Sequence, residues 1–430
     1  MEFRNLTPFD AMAFNAIDVA GNEFHVVVLK AAYALERSAY AKPGGETHHC
    51  VLQEGDSAVS LTMSDKYEGV DANSSVRCES DLAPFKPRCD VVIRATSYAP
   101  NGVPARWWPA HARVMDGDTL VIDKSLKVLG PRTFIEGPHG WRVSEPSECL
   151  QVPVRWEYAY GGSSVVMPSC NASGRGGELL LNEVCFTNPL GCGWLEKQYL
   201  KLSLDNGVLA TPDVLSAPAE GSPIKQLRAP QIEARDEPIT LLDVVEHAKS
   251  GLDAQQMAVA AAAYQMAPAG LGAMGRAWTP RLQRAGTYDV AWLEARWPNL
   301  PADFDFGYWN GAPDDQQIPW PKPGAVFELV NLAHPENTRS GLLKTRLPPH
   351  RAIAALRYIS GAIVPVEMQL DTMLVDTDEM QILLTWRANF PLQPEVRVCE
   401  ARFELEPSAP LLRFDHDEEV TERGAVWQTT

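Results

Sequence analysis

Gly270, Gly272 and Gly275 spell GxGxxG, the phrase in this sequence that a phosphate cradle would use. A dinucleotide site needs such glycines between a strand and the start of a helix, so that backbone N–H groups face the pyrophosphate. Here the helix-prone Ile239–Met266 comes before the glycines, Pro268 intervenes, and Trp278-Thr279-Pro280 follow. That context argues against a nucleotide, and no cofactor is expected. Four carboxylates, Asp303, Asp305, Asp314 and Asp315, lie among Phe304, Phe306, Tyr308 and Trp309. Two carboxylates in an aromatic cleft are the equipment of a glycosidase. The plainer reading is that aspartates cap turns, and no acid–base pair can be picked out. Asp376, Asp378 and Glu379 lack the Gly and terminal Glu of an EF-hand. His48-His49-Cys50 is expected on a Gly-rich loop with no spaced partner for zinc. HExxH, GxSxG and GxxxxGK[ST] do not occur, so no catalytic residue and no metal ligand is assigned.

The elements that would position these residues read mainly as strands. Phe24–Leu35, Cys89–Ala99, Arg106–Met115 and Asp118–Gly130 combine β-branched runs with alternation, separated by PNG, DGD and GPR turn signals. In the last of them Leu120, Ile122, Leu126 and Val128 share a parity opposite to Asp123 and Lys127, as a half-buried strand requires. Strands return at Ala325–Leu332, Ala362–Asp376, Met380–Phe390 and Val396–Glu406. Between these halves the chain is rich in turns. Ile239–Met266 alone carries helical spacing, with Thr240 and Asp243 as a cap and Ser250-Gly251 as a break. The expected fold is mainly β: two antiparallel sandwich or barrel-like units joined by an irregular Gly/Pro/Trp-rich region with a minor helical segment. The expected boundaries are 1–165, 166–320 and 321–430.

Composition narrows the function class. With 430 residues, 45% apolar and 22% charged, the chain has the material for two or three cores at about 150 residues each. A net charge of −17 argues against nucleic acid, which is bound through clustered Lys and Arg. No run approaches the 18 or so apolar residues of a membrane span, and no export signal opens the sequence, so a cytoplasmic location is expected. Eight scattered cysteines without CxxC then read as reduced thiols.

Several phrases occur in a fixed order: MEFRNLTPF at the start, DLAPFKPRCDVVIRATSYAPNGVP (Asp81–Pro104), VLGPRTF, VPVRWEYAYGG, NPLGCGW and APQIE. PAGLGAMGRAWTPR, AGTYDVAW and PADFDFGYWNGAPDDQ follow between Pro268 and Gln316, and LDTMLVDTDEMQILLTWRANFP closes the series. This order resembles a bacterial family encoded beside type VI secretion spikes, with departures at Cys89 and Ala95, where the family phrase has a hydroxyl residue and a glycine. The resemblance implies an adaptor or chaperone that binds a cognate effector and assists its loading onto a VgrG or PAAR spike protein, with no turnover. The alternative of another class is a carbohydrate-active or other β-rich hydrolase with an acidic, Trp-lined cleft. Neither reading sets the oligomeric state.

Gly286–Gln316 cannot place all its backbone in regular ladders, so it should form an ordered surface loop system stapled by its own aromatics. The expected partner-binding residues are Tyr288, Asp289, Asp303, Asp305, Tyr308, Trp309, Asp314 and Asp315, aromatic anchors with acidic edges. More than half of the twelve tryptophans are expected in the core.

Overall fold

The structure, a computed structural model, describes residues 1–39, 44–69, 71, 74–137, 140–166, 179–184, 224–235, 269–338 and 340–412. The helix-prone Ile239–Met266 and the NPLGCGW phrase lie outside them. The fold is mainly β. Its centre is a seven-stranded sheet in the order Gln317–Ile318, Cys89–Arg94, Gln369–Asp376, Gln381–Pro391 and Glu23–Arg37, with Asp10–Ile17 and His48–Gln53 both pairing along the outer edge of the last. Cys89–Arg94 and Gln369–Asp376 run parallel, and the other pairs of this sheet are antiparallel.

A four-stranded sheet (Glu2–Asn5, Val396–Glu404, Arg351–Tyr358, Ile363–Glu367) accompanies it. So does a five-stranded sheet of Ile232–Ala234, Thr119–Leu129, Trp107–Asp116, Val326–Val330 and Leu342–Arg346. Both draw strands from the first and the last third of the chain, as the central sheet does. A single apolar cluster runs from Phe9 through Trp108, Trp156 and Phe327 to Ala401. Sheet boundaries therefore do not coincide with the divisions at residues 165 and 320. A second five-stranded sheet holds Thr133–Gly137, Gly140–Val143, Gly161–Val166, Leu179–Val184 and Ile224–Arg228. Among the described residues the sheets do not close into a barrel, and no helix is long and apolar enough to cross a membrane.

Strand Glu23–Arg37 shows why the central sheet matters. Val27, Leu29, Ala31, Tyr33 and Leu35 enter the main core. By alternation Val26, Val28 and Lys30 face the other way, and they are buried too. The second face is therefore covered, and Val76, Val92, Ala273, Ala312 and Leu374 form a smaller apolar cluster on it. Its cover comes from residues 61–69, 74–86 and 269–281 and from 306–318. In Thr119–Leu129 the expected parity holds for Ile122, Leu126 and Val128, but a register shift between Leu120 and Ile122 turns Leu120 out to solvent.

One sequence reading is corrected. His48-His49-Cys50 opens a strand paired to Glu23–Arg37 rather than sitting in a loop. His48 is buried and His49 exposed, on opposite faces as alternation demands, so the two imidazoles cannot converge on one metal. Of the described tryptophan side chains, Trp108, Trp156, Trp278 and Trp386 are buried, Trp292 and Trp309 are half-buried, and Trp107, Trp297 and Trp320 are exposed.

Candidate functional site

The irregular segment from Ala269 to Ile318 has two halves of different character. The inner half is bonded into the second face of the central sheet. Ile93 N–H donates to Leu271 O at 2.9 Å, and Val76 bridges Ala273. The Gln316 amide donates to Val91 O and Leu271 O at 2.8 and 2.9 Å. Asp90, fully buried near the start of strand Cys89–Arg94, accepts four donors: Lys86 Nζ at 2.7 Å, Gly311 N at 2.9 Å, Asn310 Nδ2 at 3.0 Å and Ala312 N at 3.1 Å. Arg281, also fully buried, donates to Tyr308 O, Met274 O and the Glu79 carboxylate.

Further pairs complete a layer of charge between sheet and segment. Lys30 meets Asp81 at 2.8 Å, Arg387 meets Asp371 at 2.6 Å, and Arg276 meets Asp65 at 3.1 Å. Each cation has its carboxylate, the arrangement a buried charge needs. A cavity of about 30 Å³ opens within this layer, lined by Lys30, Asp81, Lys86, Thr372, Thr385 and Arg387 among others. A void of that size between polar side chains has room for ordered water and is not ligand-sized. Burial pulls Lys86 down, but Asp90, Glu79 and Asp371 outweigh it and hold its ammonium above the ordinary lysine value.

The GxGxxG glycines belong to this packing. A Cβ on Gly270 would lie 2.6 Å from the Trp156 ring, and one on Gly275 would lie 2.8 Å from the Trp278 ring. Trp156 Nε1 donates to Ala273 O at 2.8 Å, and the two indoles meet edge to face with centroids 5.9 Å apart. The glycines make room for tryptophans.

The outer half, from Leu282 to Asp305, faces solvent. Asp289 accepts Trp292 N at 2.8 Å and caps the short helix Val290–Ala295. Trp292 Nε1 donates to Asn299 O at 2.9 Å, closing the helix onto the following turn. Arg296 donates to Leu300 O and to Val19 O, which ties this half to the turn before strand Glu23–Arg37. Asp303 accepts both the N–H and the hydroxyl of Thr287, bonds that hold its carboxyl below the usual range. With the backbone so fixed, four apolar side chains stand outward: Tyr288 at 55% exposure, Val290 at 68%, Leu293 at 59% and Trp297 at 64%. Val290 and Leu293 are three apart on the short helix Val290–Ala295 and share one side of it, and Trp297 follows in the turn behind the helix.

The residues expected to bind a partner divide accordingly. Tyr288, Asp289 and Asp303 come together on the outer half, with Tyr288 edge-on to Trp292 and its phenol pushed up by burial and then by Tyr308 and Asp303. Asp305 caps Phe306–Trp309 by accepting Gly307 N at 2.7 Å. Tyr308 and Trp309 are half-buried, with Arg281 and Arg276 over their rings at 5.7 and 5.0 Å. Asp314 holds Arg284 at 2.9 Å and Asp315 holds Lys124 at 2.8 Å. The aspartates thus act as turn caps and ion-pair partners, and the structure does not gather them into one cleft. Val290, Leu293 and Trp297 carry a sequence signal of their own, apolar residues directly behind an Asp cap. The buried charges had another, a charged residue inside an apolar strand, as Lys30 in HVVVLKAAY and Asp90 in CDVVIR.

Among the described residues no three His, Cys, Asp or Glu side chains are grouped to hold a metal ion. Cys50, Cys78, Cys89, Cys149 and Cys399 are free thiols, and Cys170, Cys185 and Cys192 lie outside the described residues. The Asp376–Glu379 group forms a hairpin tip, with Asp376 on Arg94 and Asp378 accepting Thr96 N at 2.8 Å.

A family model described as an uncharacterized protein conserved in bacteria (DUF2169) matches residues 20–387, and the chain belongs to that family. No curated protein and no solved structure matches it.

Proposed function

We propose that this family member is a cytoplasmic adaptor: it binds a secreted effector protein and assists its loading onto a VgrG or PAAR spike protein of a type VI secretion system, without turnover. The observation that carries the binding reading is the outward set Tyr288, Val290, Leu293 and Trp297 on a backbone held by Asp289, Asp303, Arg296 and the Trp292 indole. Large apolar side chains held in place lose little freedom on association, which is how interface anchors act. The secretion context comes from the ordered sequence phrases. The engagement of Asp303, Asp305, Asp314 and Asp315 in caps and ion pairs favours binding over a glycosidase cleft, which needs two carboxyls free to face a substrate.

The test is co-purification of the tagged protein from cells expressing a candidate effector and spike, with the bound proteins identified by mass spectrometry. A stoichiometric complex with an effector is expected. Retrieval of neither effector nor spike, or hydrolysis of a polysaccharide that stops with Asp303→Asn, would overturn the reading.

A further inference from the structure

We propose that the outer half of the segment docks a cationic amphipathic segment of a partner protein, whose apolar side seats against Tyr288, Val290, Leu293 and Trp297. This names the partner chemistry of the surface just described and rests on that reading. The charge around the four apolar side chains carries it. Asp289, Glu294 and Asp303 are exposed on the same stretch, and Asp305 follows. The turn from Asp18 to Glu23 adds two more carboxylates, held against the segment through Arg296 on Val19 O and through Gly21 packed on Asn299. Among the described residues none of Asp18, Glu23, Asp289, Glu294, Asp303 and Asp305 has an ion-pair partner.

The two arginines of the stretch do not offset them outward. Arg284 is turned to Asp314 and Arg296 to main-chain carbonyls. An apolar strip with an uncompensated acidic border on a chain of net charge −17 favours a partner with apolar anchors and flanking Lys or Arg, and repels acidic segments and anionic lipid surfaces. The short capped helix presents Val290 and Leu293 on one side, with Tyr288 before it and Trp297 behind it, a raised apolar strip against which a partner's apolar side can seat.

Two synthetic peptides of about 18 residues test this, with identical leucine positions and either Lys or Glu at all polar positions. Each is titrated against the full chain by calorimetry at about 50 and about 300 mM salt, where the screening length falls from well above to below 10 Å. The Lys peptide should bind, at least tenfold more tightly than the Glu peptide and at least threefold more weakly at high salt. Leu293→Ala with Trp297→Ala should weaken it tenfold or more without lowering the melting temperature. Asp289→Asn with Glu294→Gln should weaken it severalfold and flatten the salt dependence; Asn at position 289 still caps the helix.

Equal binding of the two peptides, no binding of the Lys peptide, or indifference to the Leu293/Trp297 change would overturn the proposal. So would a dimer of the native chain that the same change dissociates, since a second copy would then be the occupant. An effector complex that survives the change refutes this docking surface and leaves the adaptor reading standing. Binding of the Lys peptide without any effector complex does the reverse.

Discussion

Asp90→Asn tests whether the irregular segment is truly anchored through the buried charge layer. The change keeps size and shape but halves the acceptor capacity of a side chain that receives four donors. In either orientation the new NH₂ faces two N–H groups. Turned toward Lys86 and Gly311, it strands the ammonium; turned toward Asn310 and Ala312, it strands a buried backbone N–H. Leaving one buried donor unsatisfied costs about 1–3 kcal/mol, and removing the partner of a buried charge costs about 3–5 kcal/mol. Asp371 and Glu79 still act on Lys86, so we expect about 4 kcal/mol in total, from the middle of these ranges.

The loss should be local before it is global. Hydrogen exchange read by mass spectrometry should show peptides covering 306–318 losing protection first, while Glu23–Arg37 retains it. Lys86→Met combined with Asp90→Asn should cost less than the two single changes added, because they share one ion pair. Unchanged protection at 306–318 would refute the anchoring argument. A uniform loss with no local excess would make Asp90 a brace of the sheet alone.

Gly270→Ala should destabilise by about 1–3 kcal/mol through overpacking against Trp156, seen as a lower denaturation midpoint; a neutral result would mean the indole shifts freely. Trp386→Ala, deep in the core, should cost about 3–5 kcal/mol, whereas Trp297→Ala should stay within about 0.5 kcal/mol; equal losses would make Trp297 a staple and remove it from the surface. Burial raises the Cys50 thiol to about 11 and the Cys399 thiol to about 12 from the ordinary 9.0. Above pH 9 the unfolded chain releases these protons while the folded one keeps them. Their contribution is therefore full below 9 and decays as pH rises toward 11 and 12, and Cys50→Ala with Cys399→Ala should flatten the alkaline fall of the melting temperature. An unchanged alkaline limb would show that other groups set it.

The strands were legible because their faces are buried. Glu23–Arg37, Trp107–Asp116, Thr119–Leu129, Gln381–Pro391 and Val396–Glu404 lie within a residue or two of the runs read from alternation and β-branching. What local pattern cannot carry is pairing. Cys89–Arg94 lies parallel to Gln369–Asp376, nearly 280 residues on, and nothing in either strand's alternation names the other. Division into separate β units was the natural inference from a turn-rich middle, yet the central sheet takes strands from both sides of it. The bulge at Leu120 was invisible for a related reason, since one extra residue flips the parity without altering the composition. At the candidate site the sequence marked the segment and its capping aspartates correctly as turn formers. It did not separate aromatics facing inward, Tyr308 and Trp309, from those facing outward, Tyr288 and Trp297, because both pairs sit in the same kind of Gly- and Asp-rich stretch.

The buried charges explain how so irregular a cover can be rigid. A segment without ladders leaves N–H and C=O groups that must find partners once covered. Apolar side chains on the sheet's second face could have filled the space but could not have accepted from Gly311 N and Ala312 N, or donated to Tyr308 O and Met274 O. Asp90 and Arg281 do so, and their own desolvation is offset by Lys86 and Glu79. Paired buried charges add little net stability over an apolar core. What they supply here is partners for the main chain: Asp90 accepts from Gly311 and Ala312, and Arg281 donates to Met274 and Tyr308, so the backbone between Met274 and Ala312 is bonded where it is covered. The outer half is held by its own bonds, Asp289 on Trp292 N and Asp303 on Thr287, and on that backbone Leu293 and Trp297 stand in solvent.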